Sequence, residues 1–157
     1  LNGADALFAM TPPNLGGQNV IANTTEAGRA FAKAIAATNI KRVVMLSSIG
    51  ADLPEGTGPI AGLYDVEHTF EELDADVKHL RAAYFYINFL ANIDMVKHAG
   101  ILGSNFSAET RMVLVHPIDI AAAAADEAAQ PCGRGGGRVR GHGRHADHGG
   151  CDGDHRG

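Results

Sequence analysis

The segment RVVMLSSIGA, residues 42–51, contains a short run of bulky apolar residues that ends abruptly in two serines and a glycine. A continuous apolar run of this length is typical of a strand that is buried on both faces, as in a parallel sheet. In open α/β sheets, ligands bind at the carboxyl ends of the strands. Ser47 and Ser48 are therefore predicted to face a ligand. The alternative is that these serines only cap the next turn.

Strand and helix patterns alternate on both sides of this segment. Strands are predicted over residues 6–10, 42–47, 77–85 and 112–115, and helices over residues 19–38, 64–73, 88–98 and 119–129. Asp119 is the predicted N-cap of the last helix, and Gly100 is predicted to stop the helix before it. Strands separated by helices imply crossover connections and a parallel sheet. We therefore predict an α/β fold, a partial Rossmann-like doubly wound parallel sheet with a disordered C-terminal tail. About four strands are few for such a sheet, so we expect further strands ahead of Leu1.

The composition changes near Gln130 and divides the chain into a domain, residues 1–129, and a tail, residues 130–157. The tail holds half of the 20 glycines and half of the 8 histidines, but one branched aliphatic residue, Val139. Such a segment buries too little apolar area to offset its ordering entropy, so we predict disorder. Its bias also resembles out-of-frame translation of a GC-rich gene, which is a hypothesis. Its histidines lack a folded frame, so no metal site is predicted.

The net charge and the cysteine content limit which binding partners and which cellular compartment we expect for this protein. The net charge of −5 gives no support for nucleic-acid binding, and no apolar run approaches the ~20 residues of a membrane span. Both cysteines, Cys132 and Cys151, lie in the tail. Without a disulfide framework in the core, cytoplasmic residence is the default expectation. A small-molecule substrate is the expected partner, and the oligomeric state stays open.

Tyr64 and His68 carry the other candidate chemistry. Their four-residue spacing places both side chains on one face of a helix. A phenol and an imidazole near a strand-end serine are able to transfer protons. The alternative is an aromatic side chain that packs on the sheet beside a surface histidine.

Four segments together resemble NmrA-like proteins, an atypical branch of the short-chain dehydrogenase/reductase superfamily. They are GADALFAMTPP at residues 3–13, RVVMLSSIGA at 42–51, LRAAYFYINFL at 80–90 and HPIDIAAAAADEA at 116–128. The resemblance covers about residues 1–129 and implies a partial NAD(P)-binding Rossmann-like domain. In that family, the first strands and the glycine-rich NAD(P) turn would lie ahead of this chain. The resemblance therefore implies that this fragment binds NAD or NADP weakly or not at all.

The resemblance also implies roles for individual residues. Tyr64 and Ser48 would be catalytic, with Tyr64-x-x-x-His68 in place of the superfamily's Tyr-x-x-x-Lys; a neutral imidazole is a poor substitute for that ammonium. The implied cofactor contacts are Thr11, Pro12, Pro13, Ser47, Ser48, His68, Tyr84, Phe85 and Asn88. The parent would be an NAD(P)H-dependent oxidoreductase acting on a small carbonyl or a quinone-like acceptor. A non-catalytic NAD(P)-sensing regulator and an inactive truncated product are the alternatives.

Overall fold

A three-stranded parallel core forms the first part of the molecule. The computed structural model describes residues 3–12, 18–104, 106–107, 109–130 and 139–140. The core consists of β1 (Leu7–Ala9), α1 (Val20–Ala36), β2 (Arg42–Ser48), α2 (Ala61–Glu71) and β3 (Asp76–Ala82). β1 and β3 flank β2, and both pair with it in parallel. The predicted alternation of strand and helix is confirmed here.

The second part consists of shorter elements. They are β4 (Tyr84–Phe85), a 3₁₀ segment (Tyr86–Asn92), α3 (Ile93–Ala99), β5 (Leu114–Val115), α4 (Pro117–Ala129) and β6 (Val139–Arg140). β4 and β5 form a separate parallel pair. β6 adds to the main sheet beside β3. None of the helices in the described residues is long and apolar enough to cross a bilayer.

Both faces of the main sheet are covered, because successive strand residues point to opposite faces. Val43 and Met45 belong to the cluster that contains Phe70 of α2. Val44 points the other way and belongs to a smaller cluster with Ala124 of α4. The continuous apolar run of β2 therefore reflects burial on two sides, as predicted.

α1 and α2 pack closely because of a glycine at their contact. A Cβ atom added to Gly28 would lie 2.5 Å from Cγ2 of Val66, so a larger residue would force the helices apart. α1 begins where the sequence predicts, because Asn19 is its N-cap and its Oδ1 accepts a hydrogen bond from the Ala22 amide at 3.0 Å. The approach of the two helices fixes the position of α2 beside the sheet.

Several predicted boundaries are wrong. The strand predicted over residues 77–85 breaks at Ala83, because the Tyr84 amide donates to the carbonyl of Val113 and starts the β4–β5 pair. The helix predicted over residues 88–98 is 3₁₀ up to Asn92 and α-helical only from Ile93. Its predicted stop is confirmed, since Gly100 is left-handed with φ of 67°.

The last helix also starts differently from the prediction. His116, not Asp119, is the N-cap of α4, and its Nδ1 accepts a hydrogen bond from the Ile118 amide at 3.0 Å. Pro117 follows as the first helical residue, a position where a missing N–H costs nothing. In the segment predicted to be disordered, Val139 and Arg140 form β6. Residues 131–138 and 141–157, including the tail histidines and both cysteines, lie outside the described residues.

Candidate functional site

An open cleft of about 700 Å³ lies at the carboxyl ends of β1, β2 and β3. The strand ends supply Met10, Thr11, Leu46, Ser47, Ser48, Ile49, Ala82 and Ala83, and the helical and connecting segments supply Val20, Thr24, Pro59, Ile60, Leu63, Tyr84, Phe85, Asn88, Phe106, Thr110, Arg111, Met112 and Val113. This is the edge of the sheet at which the sequence predicts a ligand. Its volume falls in the range of about 300–1,000 Å³ that small-molecule sites occupy.

The structure brings six of the predicted site residues together in this cleft. They are Thr11, Ser47, Ser48, Tyr84, Phe85 and Asn88. Pro12 is exposed and does not contribute to the lining. Pro13 lies outside the described residues. The strand-end and strand-to-helix positions therefore lie at one edge of the sheet, and their contacts with a cofactor stay a prediction.

Tyr64 and His68 do not line the cleft. Their rings stack on α2 with centroids 4.2 Å apart, and His68 Nδ1 lies 2.8 Å from the carbonyl oxygen of Tyr64. His68 is exposed and Tyr64 is half-buried. The predicted spacing on one helical face is thus present, but it produces the arrangement of the alternative interpretation, an aromatic ring beside a surface histidine. A catalytic role for Tyr64 stays a prediction.

Ser47 is engaged in a buried polar network behind the cleft. Its hydroxyl donates to Glu67 Oε1 at 2.5 Å. Arg81 binds the same carboxylate through two nitrogens, with Nε 2.9 Å from Oε1 and Nη2 2.6 Å from Oε2. Glu67 is fully buried and Arg81 nearly so. The network joins the end of β2, helix α2 and strand β3 through one bidentate charged pair.

Glu67 stays ionised in this network. Burial raises the pKa of Glu67, but the hydrogen bonds from Arg81 and Ser47 and the attraction of His79 and Arg81 outweigh it, and the net pKa lies below the usual 4.5. The hydrogen bonds that Arg81 donates to Glu67 in turn raise the pKa of Arg81. A carboxylate of this kind, with both oxygens occupied, is a poor general base near neutral pH. The network therefore fixes the strand end and does not itself transfer protons.

Ser48 presents the hydroxyl that is better placed to meet a ligand. It is half-buried, points to the opposite sheet face from Ser47, and makes a local hydrogen bond to the carbonyl of Ile49 at 3.2 Å. A local contact at this distance is easily exchanged for a ligand, whereas the proton of Ser47 is held by a buried carboxylate. The two adjacent serines thus differ in their hydrogen-bond partners.

Aromatic side chains form the opposite wall of the cleft. Tyr84 packs edge-on against Phe106 with ring centroids 5.8 Å apart, and its ring lies 5.4 Å from that of Phe89. Tyr84, Phe85 and Phe106 all contribute to the lining. A mostly apolar cleft with aromatic side chains on one wall suits a flat ring.

Sequence reasoning missed Glu67, Arg81 and Arg111. Glu67 sits between Val66 and Phe70 on the buried side of α2, and Arg81 interrupts the apolar end of β3. A charged residue at a core-facing position of a helix and another inside a buried strand are the signals that could have indicated a buried pair. Arg111 lies on a connecting segment and carries no comparable signal.

Sequence reasoning also missed a glycine motif ahead of α2. Residues 56–61, Gly-Thr-Gly-Pro-Ile-Ala, match the pattern G-x-G-x-x-A. Pro59 has no N–H, and the Ile60 amide donates to the carbonyl of Thr57 at 3.3 Å. Two amides of the first turn are therefore not offered to an anion, and the motif does not form a phosphate cradle of the kind found at helix N-termini. In the described residues, no group of three or more His, Cys, Asp or Glu is placed to hold a metal ion.

No protein-family model and no curated protein matches this chain. Two solved structures are similar in fold. The Bordetella bronchiseptica enzyme WbmG in complex with NAD matches with a TM-score of 0.60 at 16% identity, over 87% of this chain and 49% of that one. TunA, an NAD-dependent NDP-hexosamine 5,6-dehydratase involved in tunicamycin biosynthesis, matches with a TM-score of 0.62 at 15% identity, over 88% of this chain and 55% of that one. The chain spans about half the length of these two proteins. The likeness confirms the predicted α/β, Rossmann-like fold.

Proposed function

We propose that this chain is part of an NAD(P)-binding oxidoreductase of the NmrA-like type, namely the part that binds the hydride acceptor. The observation that carries the proposal is the open cleft at the carboxyl ends of three parallel strands, which brings Ser48, Tyr84 and Asn88 together. The resemblance in four sequence segments supports the NmrA-like assignment. One similar structure contains NAD and the other is an NAD-dependent enzyme, so NAD is the first cofactor to test.

The cleft fits the reacting end of such a cofactor and a small acceptor. A bound NAD(P)H supplies the hydride. Thr11, at the end of β1, and Ser48, at the end of β2, would hold the cofactor's reacting end, and the aromatic wall of Tyr84 and Phe106 would orient a flat ring. The hydroxyl of Ser48 would donate a hydrogen bond to a carbonyl or quinone oxygen. A small carbonyl or quinone-like compound is therefore the proposed acceptor.

A second candidate is an NAD(P)-responsive regulator without turnover. It is favoured by the position of Tyr64, which stacks on His68 and does not line the cleft. The superfamily's proton donor would then be absent from the site, while binding of the cofactor could still alter a protein contact.

The test has two stages. Calorimetric titration of the 157-residue chain with NADH and NADPH should show weak or no binding, and a micromolar Kd would contradict the fragment interpretation.

The version extended at its N-terminus should then oxidise NADH or NADPH in the presence of menadione. Ser48→Ala should lower its turnover at least about tenfold, because a positioned hydrogen-bond donor is lost. Tyr64→Phe tests the predicted catalytic role of Tyr64, because a loss of at least about a hundredfold is expected if Tyr64 is the acid, and unchanged turnover would remove it from the mechanism. Cofactor binding without turnover would favour the regulator.

A further inference from the structure

Arg111 stands out in the cleft because of its charge. Among the described residues that line the cleft, it is the one charged side chain. It also makes no hydrogen bond or ion pair within the part of the chain that the structure describes. An arginine usually satisfies its planar fork of donors with a carboxylate, a phosphate or carbonyl groups. An unpaired guanidinium at an apolar cleft is therefore available to a ligand.

No acidic residue in the described part of the chain forms an ion pair with this arginine. Glu109, two residues earlier, accepts the hydroxyl of Ser107 at 2.8 Å, a hydrogen bond that lowers the pKa of Glu109. Glu67 is occupied by Arg81 and Ser47. The chain as a whole carries a net charge of −5, so a lone cation in the cleft runs against the overall charge. Apolar walls strengthen the attraction of such a cation for an anion.

We propose that Arg111 binds a carboxylate on the acceptor, whose flat ring lies against Tyr84 and Phe106. The guanidinium fork matches a carboxylate in a bidentate geometry. The aromatic pair that lines the same cleft, with centroids 5.8 Å apart, supplies the apolar surface for the ring. The inference rests on the proposed function for the position of the acceptor, and it narrows that acceptor to an aromatic or quinone-like acid.

The test uses binding without cofactor, so that it does not depend on turnover. The folded 157-residue chain is titrated with 2-naphthoate and with its neutral isostere 2-naphthamide by calorimetry. We expect the wild type to bind the acid about tenfold more tightly than the amide, a modest difference because Arg111 is exposed to solvent. Arg111→Gln should abolish this preference while leaving the amide affinity unchanged. Arg111→Lys should keep part of the preference, because the charge remains but the fork is lost.

A matched control and the opposing results complete the test. Arg29→Gln removes an exposed cation from α1, outside the cleft lining, and should keep the tenfold preference. Equal affinity of the wild type for acid and amide, a preference that survives in Arg111→Gln, or no binding of either compound would overturn the proposal. Binding of inorganic phosphate that Arg111→Gln abolishes, without any naphthoate preference, would also overturn it and assign Arg111 to a cofactor phosphate. Loss of NAD(P)H-dependent turnover with an intact naphthoate preference would instead count against the proposed function alone.

Discussion

The core of β1–β3 with α1 and α2 differs sharply from the segment of residues 84–115 that completes the cleft. In the core, Val43, Met45 and Phe70 are at most 1% exposed. In the second segment, the large apolar side chains stay open to solvent, with Leu90 59% and Val113 53% exposed. The core is held by regular elements that bury two sheet faces, whereas the second segment uses short strands and a 3₁₀ turn to supply one wall. The buried core and the exposed wall of the cleft therefore come from different parts of this chain, although the ends of the core strands also line the cleft.

The largest expected effect tests whether the core carries the stability. Phe70 of α2 is fully buried against the sheet, so Phe70→Ala should lower the free energy of unfolding by about 3–5 kcal/mol. Leu90→Ala, in the 3₁₀ segment, removes an exposed side chain and should change it by less than about 0.5 kcal/mol. Urea denaturation of both variants measures the difference. Equal losses would show that the second segment has a core of its own.

The next effect tests the charged pair behind the cleft. Glu67→Gln keeps the shape of the side chain but leaves the buried Arg81 with only the more distant carboxylate of the half-exposed Asp52, at 3.7 Å, so the free energy of unfolding should fall by about 3 kcal/mol at neutral pH. The control is Asp74→Asn, which breaks the ion pair with Lys41 at the surface, where both side chains are exposed. The surface variant should unfold at nearly the wild-type urea concentration. A surface loss as large as the buried one would contradict the assignment of Glu67.

The same pair predicts a dependence on pH. The pKa of Glu67 is lower in the folded protein than its usual 4.5, so its stabilisation is fully present above that pH. The stabilisation is lost as the pH falls from about 4.5 through the lower folded-state pKa. The gap between wild type and Glu67→Gln in urea denaturation should therefore be constant from neutral pH down to about pH 5 and should close below it. A gap that widens on acidification would contradict the direction of the shift.

The sequence predicted secondary structure correctly where burial imposes a regular spacing on the apolar residues. The apolar run of β2 and the helical stripe of α1 each follow from a sheet covered on two faces, and the Asn19 and Gly100 boundaries follow from local hydrogen bonding and backbone freedom. The position of Ser48 at a ligand edge follows from strand direction alone. The strand break at Ala83 could not be predicted, because the backbone of Tyr84 pairs with residues far along the chain.

The candidate site shows the same limit. Tyr64 and His68 have the spacing of a reactive pair, but which face of α2 meets the cleft depends on the contact of α2 with α1 at Gly28. That packing turns Val66 and Glu67 inward and leaves His68 outside. Arg111 lies in the cleft because a connecting segment passes there, and no local sequence pattern predicts the path of that segment. Periodicity thus predicted the strand ends and missed every side chain that tertiary packing selects.

The smallest effect separates the two adjacent serines of β2. Ser47→Ala removes a donor from a buried carboxylate and should lower the free energy of unfolding by about 1.5 kcal/mol. Ser48→Ala loses only a local contact and should stay within about 0.5 kcal/mol of wild type. Without the Ser47 hydrogen bond, the folded-state pKa of Glu67 should rise toward 4.5, so the acid-induced loss should begin at higher pH in Ser47→Ala. Urea denaturation as a function of pH measures both effects. The opposite result would be a larger loss of stability and a raised pKa of Glu67 in Ser48→Ala. It would mean that the hydroxyl of Ser48, and not that of Ser47, binds Glu67.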